Sequence, residues 1–352
     1  MKNRPATATI AVIGLIFVLF WLFFGYDMIK ERELDNYRNN VTFLAKQKDI
    51  WGNLSNEQGF FKYDWKNKTV TKVAQESQEK TLITSKDNYF CMWPGLHELD
   101  VNGQLNLLLA YDEAIDLIKA YESETKITQK RTGLTFQERK NRWQGKEFSK
   151  IHGYENGFIF DYCGVLYYFE KIRGEYAVSA PFEEIPLCDT YLFMDDKILA
   201  ITLDHVVQKN DIAYEQCIVY LYDIHEKSVE KIVTTQCDID SFCINQQGNK
   251  FAYLDFAGST NPVLYVYDID VGENTSASKP IKKISKKGEN DRLMSLNFLI
   301  LLDTDEVLAV REDEDIFSLF GSSNKTPVLL TKDGQKKAPR KLQKYYIDDI
   351  VQ

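Results

Sequence analysis

The chain has 352 residues, enough for one large domain or two ordinary ones. With 44% hydrophobic and 27% charged residues it is not a disordered polymer, and its 20 tyrosines and 21 phenylalanines suit half-buried pleated surfaces. A formal net charge of −9 argues against a nucleic-acid partner, because phosphate binding needs a positive face; the basic runs 282–287 (KKISKK) and 336–344 (KKAPRKLQK) read as solvated loops.

Residues 1–5 are a short tail, and residues 6–26 form an uncharged run of 21 residues centred on IAVIGLIFVLFWLFF. About 20 residues at 1.5 Å rise span a hydrocarbon core of roughly 30 Å, so the run predicts one N-terminal transmembrane helix. Trp21 and Tyr26 stand near its end, where interfacial aromatics collect. A cleaved signal peptide is the competing reading. Against it, Phe23-Phe24-Gly25-Tyr26-Asp27 is not a small-x-small cleavage site, and no cysteine stands there to take a lipid. Lys2 and Arg4 precede the span, while Lys30 and Arg32 follow it among acids, which favours the N terminus inside. The expectation is a single-pass signal-anchor protein of the cell membrane with an extracytoplasmic C-terminal domain.

Residues 27–48 are charge-rich with apolar positions at roughly helical spacing, and they read as a helical or extended stalk. From residue 49 the pattern changes to short strands, so the folded domain is predicted over 49–352. The runs 59–64, 69–73, 81–84 and 89–93 are β-rich, whereas 105–121 (LNLLLAYDEAIDLIKAY) fits a helix as well as two strands. Residues 125–148 are polar and hold Arg131, Arg139 and Arg142 without a β pattern. An insertion is predicted at 123–150, with a helix over 137–144.

Beyond residue 149 a unit of two hairpins recurs. Its most regular part is 217–232 (CIVYLYDIHEKSVEKI): a strand, a Tyr-Asp pair, a polar turn and a return strand. Copies stand at 60–73 (FFKYDWKNKTVTKV) and 264–270 (LYVYDID), the latter with its return strand placed at 280–284. Looser copies are 107–112 (LLLAYD), 166–170 (LYYFE) and 315–320 (DIFSLF). The landmarks Asp64, Asp112, Glu170, Asp223, Asp268 and Phe320 are 48, 58, 53, 45 and 52 residues apart. Past residue 149 a second hairpin accompanies each copy, at 157–170, 191–203, 240–256 and 294–310, whereas the copy at Asp64 has only 41–54 before it, short of a full inner pair. Four strands per period of roughly 40–50 residues is the content of one propeller blade. Residues 342–351 (LQKYYIDDIV) are an apolar segment left over after the last copy, and residues 345–350 are predicted to pair with the first blade and close the ring.

On this period the region from Trp51 to Gln352 resembles the β-propeller superfamily, in its WD-repeat-like and TolB-like branches. The Gly-His and Trp-Asp signatures of true WD repeats are absent. The resemblance implies an all-β fold: a β-propeller of about six four-stranded blades behind the N-terminal transmembrane helix.

Chemistry is sparse. His97, His152, His205 and His225 are scattered, and no G-x-S-x-G elbow, H-E-x-x-H or phosphate-binding glycine loop occurs. The six cysteines include no C-x-x-C pair; disulfides are open to them only outside the cytoplasm. The turn aspartates at 238–240, 268–270 and 303–305 lack the spacing of a calcium loop, and turn chemistry accounts for them. No catalytic, cofactor-binding or metal-binding residue is assigned, no cofactor is expected, and an enzyme is the less favoured class. The leading expectation is a protein- or glycan-binding or scaffolding module at the propeller face, with the membrane engaged through 6–26. The alternatives are an envelope polysaccharide hydrolase or lyase with its site in the funnel, and a structural subunit of a membrane complex.

Overall fold

The structure, a computed structural model, describes residues 38, 40–48, 54–76, 81–83, 89–92, 95–100, 104–142, 148–182, 184–194, 197–209, 212–237, 239, 241–256, 261–281, 296–314 and 323–351. Its strands form six four-stranded antiparallel sheets. The first holds β1 (Val41–Lys48), β2 (Leu54–Asp64) and β3 (Thr69–Glu76). The second holds β4 (Thr81–Ile83), β5 (Tyr89–Met92), β6 (Gly95–Leu99) and β7 (Leu105–Ala110). Helices α1 (Tyr111–Thr125), α2 (Ile127–Thr132) and α3 (Phe136–Arg142) intervene. The third sheet is β8 (Phe148–Tyr154), β9 (Gly157–Tyr162), β10 (Val165–Ile172) and β11 (Glu175–Ser179); the fourth is β12 (Thr190–Phe193), β13 (Lys197–Lys209), β14 (Ile212–Asp223) and β15 (Ser228–Cys237). The fifth is β16 (Phe242–Ile244), β17 (Lys250–Asp255), β18 (Val263–Asp268) and β19 (Glu273–Ala277), and the sixth β20 (Leu296–Leu301), β21 (Val307–Glu314), β22 (Ser323–Thr331) and β23 (Gly334–Lys337). The last strand, β24 (Tyr345–Val351), returns to the first sheet beside β1.

Each sheet touches the next. The first strands of neighbouring sheets meet as β24 with β4, β4 with β8, β8 with β12, β16 with β20 and β20 with β24, while β15 meets β17. A parallel bridge, Asn245 with Leu301, joins the fifth and sixth sheets. This is a β-propeller. The middle strands are covered on both faces by neighbouring sheets, so β9 (GFIFDY) is buried from Phe158 to Tyr162 without alternation. Residues of the first and sixth sheets share one core: Phe43, Tyr63 and Trp65 pack with Leu302, Leu308 and Leu329.

The predicted ring closure is present. Phe43 pairs with Ile350 and Ala45 with Ile347, and Tyr345 lies edge-on to Phe43 with ring centres 5.5 Å apart. The Tyr-Asp pairs are turn devices. Tyr63, Tyr222 and Tyr267 are buried, and the aspartate after each accepts backbone N–H groups two or three residues on. The next residue, Trp65, Ile224 or Ile269, is buried, and Lys68, Lys227 and Gly272 take positive φ to turn the chain back.

Four expectations are corrected. The stalk cannot extend to residue 48, because Val41–Lys48 is strand β1 with Phe43, Leu44 and Ala45 fully buried; the folded domain therefore begins before residue 49. The insertion begins at Tyr111 rather than 123, since 105–121 divides into a strand and a helix at Ala110. The Tyr-Asp copy at 107–112 is therefore no hairpin. The corresponding strand is β6, and its turn is capped by Asp100, which accepts the Gln104 N–H at 2.8 Å. The return strand after Asp268 is β19 (ENTSA), immediately after the turn, not 280–284. It is polar because an outer strand is held by its backbone ladder and buries little side chain. The copy at 315–320 and the apolar run 6–26 lie outside the described residues. Among the described residues no helix is long and apolar enough to cross a membrane.

Close approach of strands shows most sharply at Gly157, where an added Cβ would lie 1.8 Å from the Phe169 carbonyl oxygen. Gly157→Ala must push β9 from β10, and we expect a loss of about 3 kcal/mol, the upper end of the usual cost of overpacking, read from the urea midpoint at unchanged slope.

Candidate functional site

Strands alternate in direction within each sheet, so the two ends of the ring differ. The connections between first and second strands and between third and fourth strands lie at one end, the turn end. Those between second and third strands and from sheet to sheet lie at the other, the loop end. The turn end carries the aspartate-capped turns of the first, fourth and fifth sheets described above. The loop end carries the additions to the repeat.

The largest addition is the helical insertion, which the burial pattern wedges between the second and third sheets. Tyr111, Ala114 and Ile118 of α1 pack with Leu96 and Leu109 on one side and Phe158, Phe160 and Tyr167 on the other. Arg139 of α3 is fully buried and donates to Glu122 of α1, and Tyr167 of β10 donates to the same carboxylate oxygen. Burial opposes the charge on Arg139, yet Tyr167 and Glu122 beside it hold its pKa above the ordinary value. Phe136 stacks on Tyr162 at 5.6 Å, and Tyr121 accepts the Ala180 N–H at 3.2 Å.

The second addition is the hairpin β13–β14. Strand β12 accompanies β13 only to Ile201, and β15 accompanies β14 only from Glu215, so residues 204–209 and 212–214 project beyond both flanking strands. Asp189 caps the point of departure by accepting the Leu203 N–H at 2.8 Å. On the projecting part Val206 is 59% exposed, and His205 Nδ1 lies 2.9 Å from Asp204 Oδ2.

Between these additions lies a group of ionisable side chains: Arg131 of α2, Asp161 of β9, and Cys188 and Tyr191 at the start of the fourth sheet. Arg131 Nη2 donates to the Ile185 carbonyl at 3.0 Å, tying the insertion to the segment before the fourth sheet, and the Tyr191 hydroxyl donates to Gly164 O at 2.8 Å, tying the fourth sheet to the Cys163-Gly164 turn. Burial, then the charges of Asp189 and Asp161, push the Cys188 thiol far up, so it is protonated at neutral pH and is not poised as a nucleophile. Burial, then Cys188 and Asp161, likewise raise Tyr191 well above its ordinary 10.0.

Below pH 10 the stability from neutral Tyr191 is fully present; above it the unfolded chain loses the proton more readily, and stability falls. Tyr191→Phe should cost about 1 kcal/mol at pH 7, one buried hydrogen bond, and should lose less stability than wild type between pH 10 and 12. Urea unfolding at several alkaline pH values measures both.

The histidines are not brought together. His97 is buried with Nδ1 3.1 Å from Gly95 O and a pKa lowered by burial. His152 stacks on Phe193 at 5.0 Å, His205 is exposed on the projecting hairpin, and His225 lies in a turn at the opposite end. Among the described residues no three His, Cys, Asp or Glu side chains are grouped as a metal site would need. Cys163, Cys188, Cys217, Cys237 and Cys243 are buried thiols, none of them in a disulfide. Sequence reading located Arg131 and Arg139 in an insertion but not their partners, which come from other elements.

No family model and no curated protein matches the chain. Among solved structures it is similar to the β-propeller domain of the Trilobed protease from Pyrococcus furiosus, at 12% identity over 54% of this chain and 56% of that one, with a TM-score of 0.34. It is similar also to hydrazine synthase from Kuenenia stuttgartiensis, at 9% identity over 90% of this chain and 47% of that one with a TM-score of 0.42, and to TolB from Acinetobacter baumannii, at 11% over 85% and 57% with 0.26. The chain thus covers about half the length of these solved chains. The propeller assignment rests on the sheet order and the contacts between sheets.

Proposed function

We propose that this chain is a membrane-tethered, extracytoplasmic propeller of six blades that serves as a binding or scaffolding module, with a protein or glycan partner engaged at the loop end. The observation that carries this reading is the inequality of the two ends. At the turn end the first, fourth and fifth sheets close through tight aspartate-capped turns, whereas the wedge of three helices and the projecting β13–β14 hairpin add surface at the loop end. Additions of this kind on a rigid scaffold are where recognition residues concentrate. The tether is the apolar run 6–26, long enough to span a bilayer.

A photo-reactive amino acid placed at Gln129 or Val206 of the full-length protein, and at Asn67 of the turn end as control, tests the reading in native membranes. Discrete adducts from the loop-end positions and none from Asn67 are the expected result. Adducts from Asn67 alone would assign the partner to the other end. Turnover of envelope glycans by the purified protein would instead support the hydrolase or lyase reading. Protease digestion of intact cells, with lysed cells as control, checks the side of the membrane.

A further inference from the structure

The β13–β14 hairpin keeps a regular ladder after both neighbouring strands have stopped. Its rungs run on from His205 with Gln216 to Lys209 with Ile212, past the last partner of β12 at Ile201 and the first of β15 at Glu215. On both sides the domain's own pairing ends at a carboxylate. Asp189 accepts the Leu203 N–H at 2.8 Å, and Glu215 accepts the Ile239 N–H at 3.2 Å. Among the described residues no strand lies beside 204–209, and that stretch holds no proline to blunt it. A two-stranded ribbon left to itself is marginal in water.

The register fixes which way its backbone groups point. Leu203 turns its N–H to the β12 side, where Asp189 takes it. Asp204 is the extra residue of a bulge, since Leu203 pairs with Cys217 and His205 with Gln216. Past the bulge, antiparallel alternation turns the N–H and C=O of Val206 and Gln208 to the β12 side, and those of Val207 and Lys209 to β14. Val206 is exposed. The β12 side thus presents donors and acceptors at strand spacing, and what matches them is another extended backbone. Sugar hydroxyls have no such spacing.

We propose that the β12-side edge of β13, at Val206 and Gln208, docks an extended segment of a partner protein, which joins the fourth sheet as a strand in line with β12. This inference rests on the loop-end reading above and narrows its partner to a protein read through its main chain. A second copy is the poorer occupant. Two such edges overlap only along 204–209 of each chain, far short of the roughly 20–30 residues a side that a stable dimer buries. A partner segment can run on past Leu203 toward Asp189. Four residues before Asp189 stands Ile185, whose carbonyl holds Arg131 of the helical insertion, so one segment can reach both additions.

The test uses the full-length protein in native membranes with a photo-reactive residue at His205, an exposed position. Adducts mapping to one segment of a partner protein are expected. Val206→Pro and Gln208→Pro each remove an outward N–H and leave the β13–β14 ladder intact. Each should cut the adduct yield about tenfold, while Val206→Thr keeps it within about twofold. In detergent the two outward prolines should leave the urea midpoint unchanged, whereas Val207→Pro, whose N–H faces β14, should lower it. A yield indifferent to both outward prolines overturns backbone docking. Equal midpoint losses at 206 and 207 overturn the direction assigned to the edge. Adducts to a glycan, to a second copy or to another stretch of the same chain overturn the occupant. Adducts from Gln129 but none from His205 overturn the docking edge alone; none from either position overturns the loop-end reading with it.

Discussion

Removing residues 345–352 is expected to abolish the native fold. Strand β24 pairs along β1 from Tyr345 to Val351, and Ile347 is 1% exposed. Tyr345 meets Phe61 at 4.7 Å as well as Phe43 at 5.5 Å. Deleting the strand removes about 1.5–3 kcal/mol for the buried isoleucine and about 0.5–1.5 kcal/mol for each ladder hydrogen bond, a sum comparable to the roughly 5–15 kcal/mol that stabilises a typical domain. It also exposes the β1 edge beside Phe43 and Leu44, a template for edge-to-edge association. The truncated chain should emerge from size exclusion as aggregate, without a cooperative transition. Ile347→Ala is the graded version, expected to cost about 2–5 kcal/mol. A truncated chain that unfolded at the wild-type midpoint would show that the ring does not depend on its closing strand.

Arg139→Met is expected to cost about 3–5 kcal/mol, because it strands the Glu122 carboxylate, whose side chain is 9% exposed, without its cation. Tyr167 would remain its hydrogen-bond donor and recover part of the loss. The damage should be local at first. Since α1 wedges between the second and third sheets, limited proteolysis should nick residues 111–142 before the sheets, with a fall in helical circular dichroism. The double variant Glu122→Leu/Arg139→Met removes both charges together, and it should regain most of the stability lost by the single change. If the single variant cost no more than a surface substitution, the three-residue contact would contribute nothing to holding the helices.

Middle strands were legible because neighbouring sheets cover them, which forces apolar residues into runs such as GFIFDY and CIVYLY. Their turns were legible because aspartate satisfies free N–H groups at a strand end, as Asp64, Asp223 and Asp268 do. Outer strands were not. ENTSA in β19 and GQKK in β23 bury almost nothing, so their sequences carry no periodic mark, and backbone pairing alone places them. The same blindness shifted one repeat copy to 107–112, where LLLAYD has the right residues but β6, with Asp100, occupies the place.

The kind of fold, the closing role of the C-terminal segment and the presence of an insertion are all written in local apolar pattern and turn chemistry. Where the folded domain begins, how the helices lock through Arg139, Glu122 and Tyr167, and the convergence of Arg131, Asp161, Cys188 and Tyr191 are settled by the closed ring. Those facts depend on residues tens to hundreds of positions apart meeting when the ring closes, and no local pattern records a meeting at that separation.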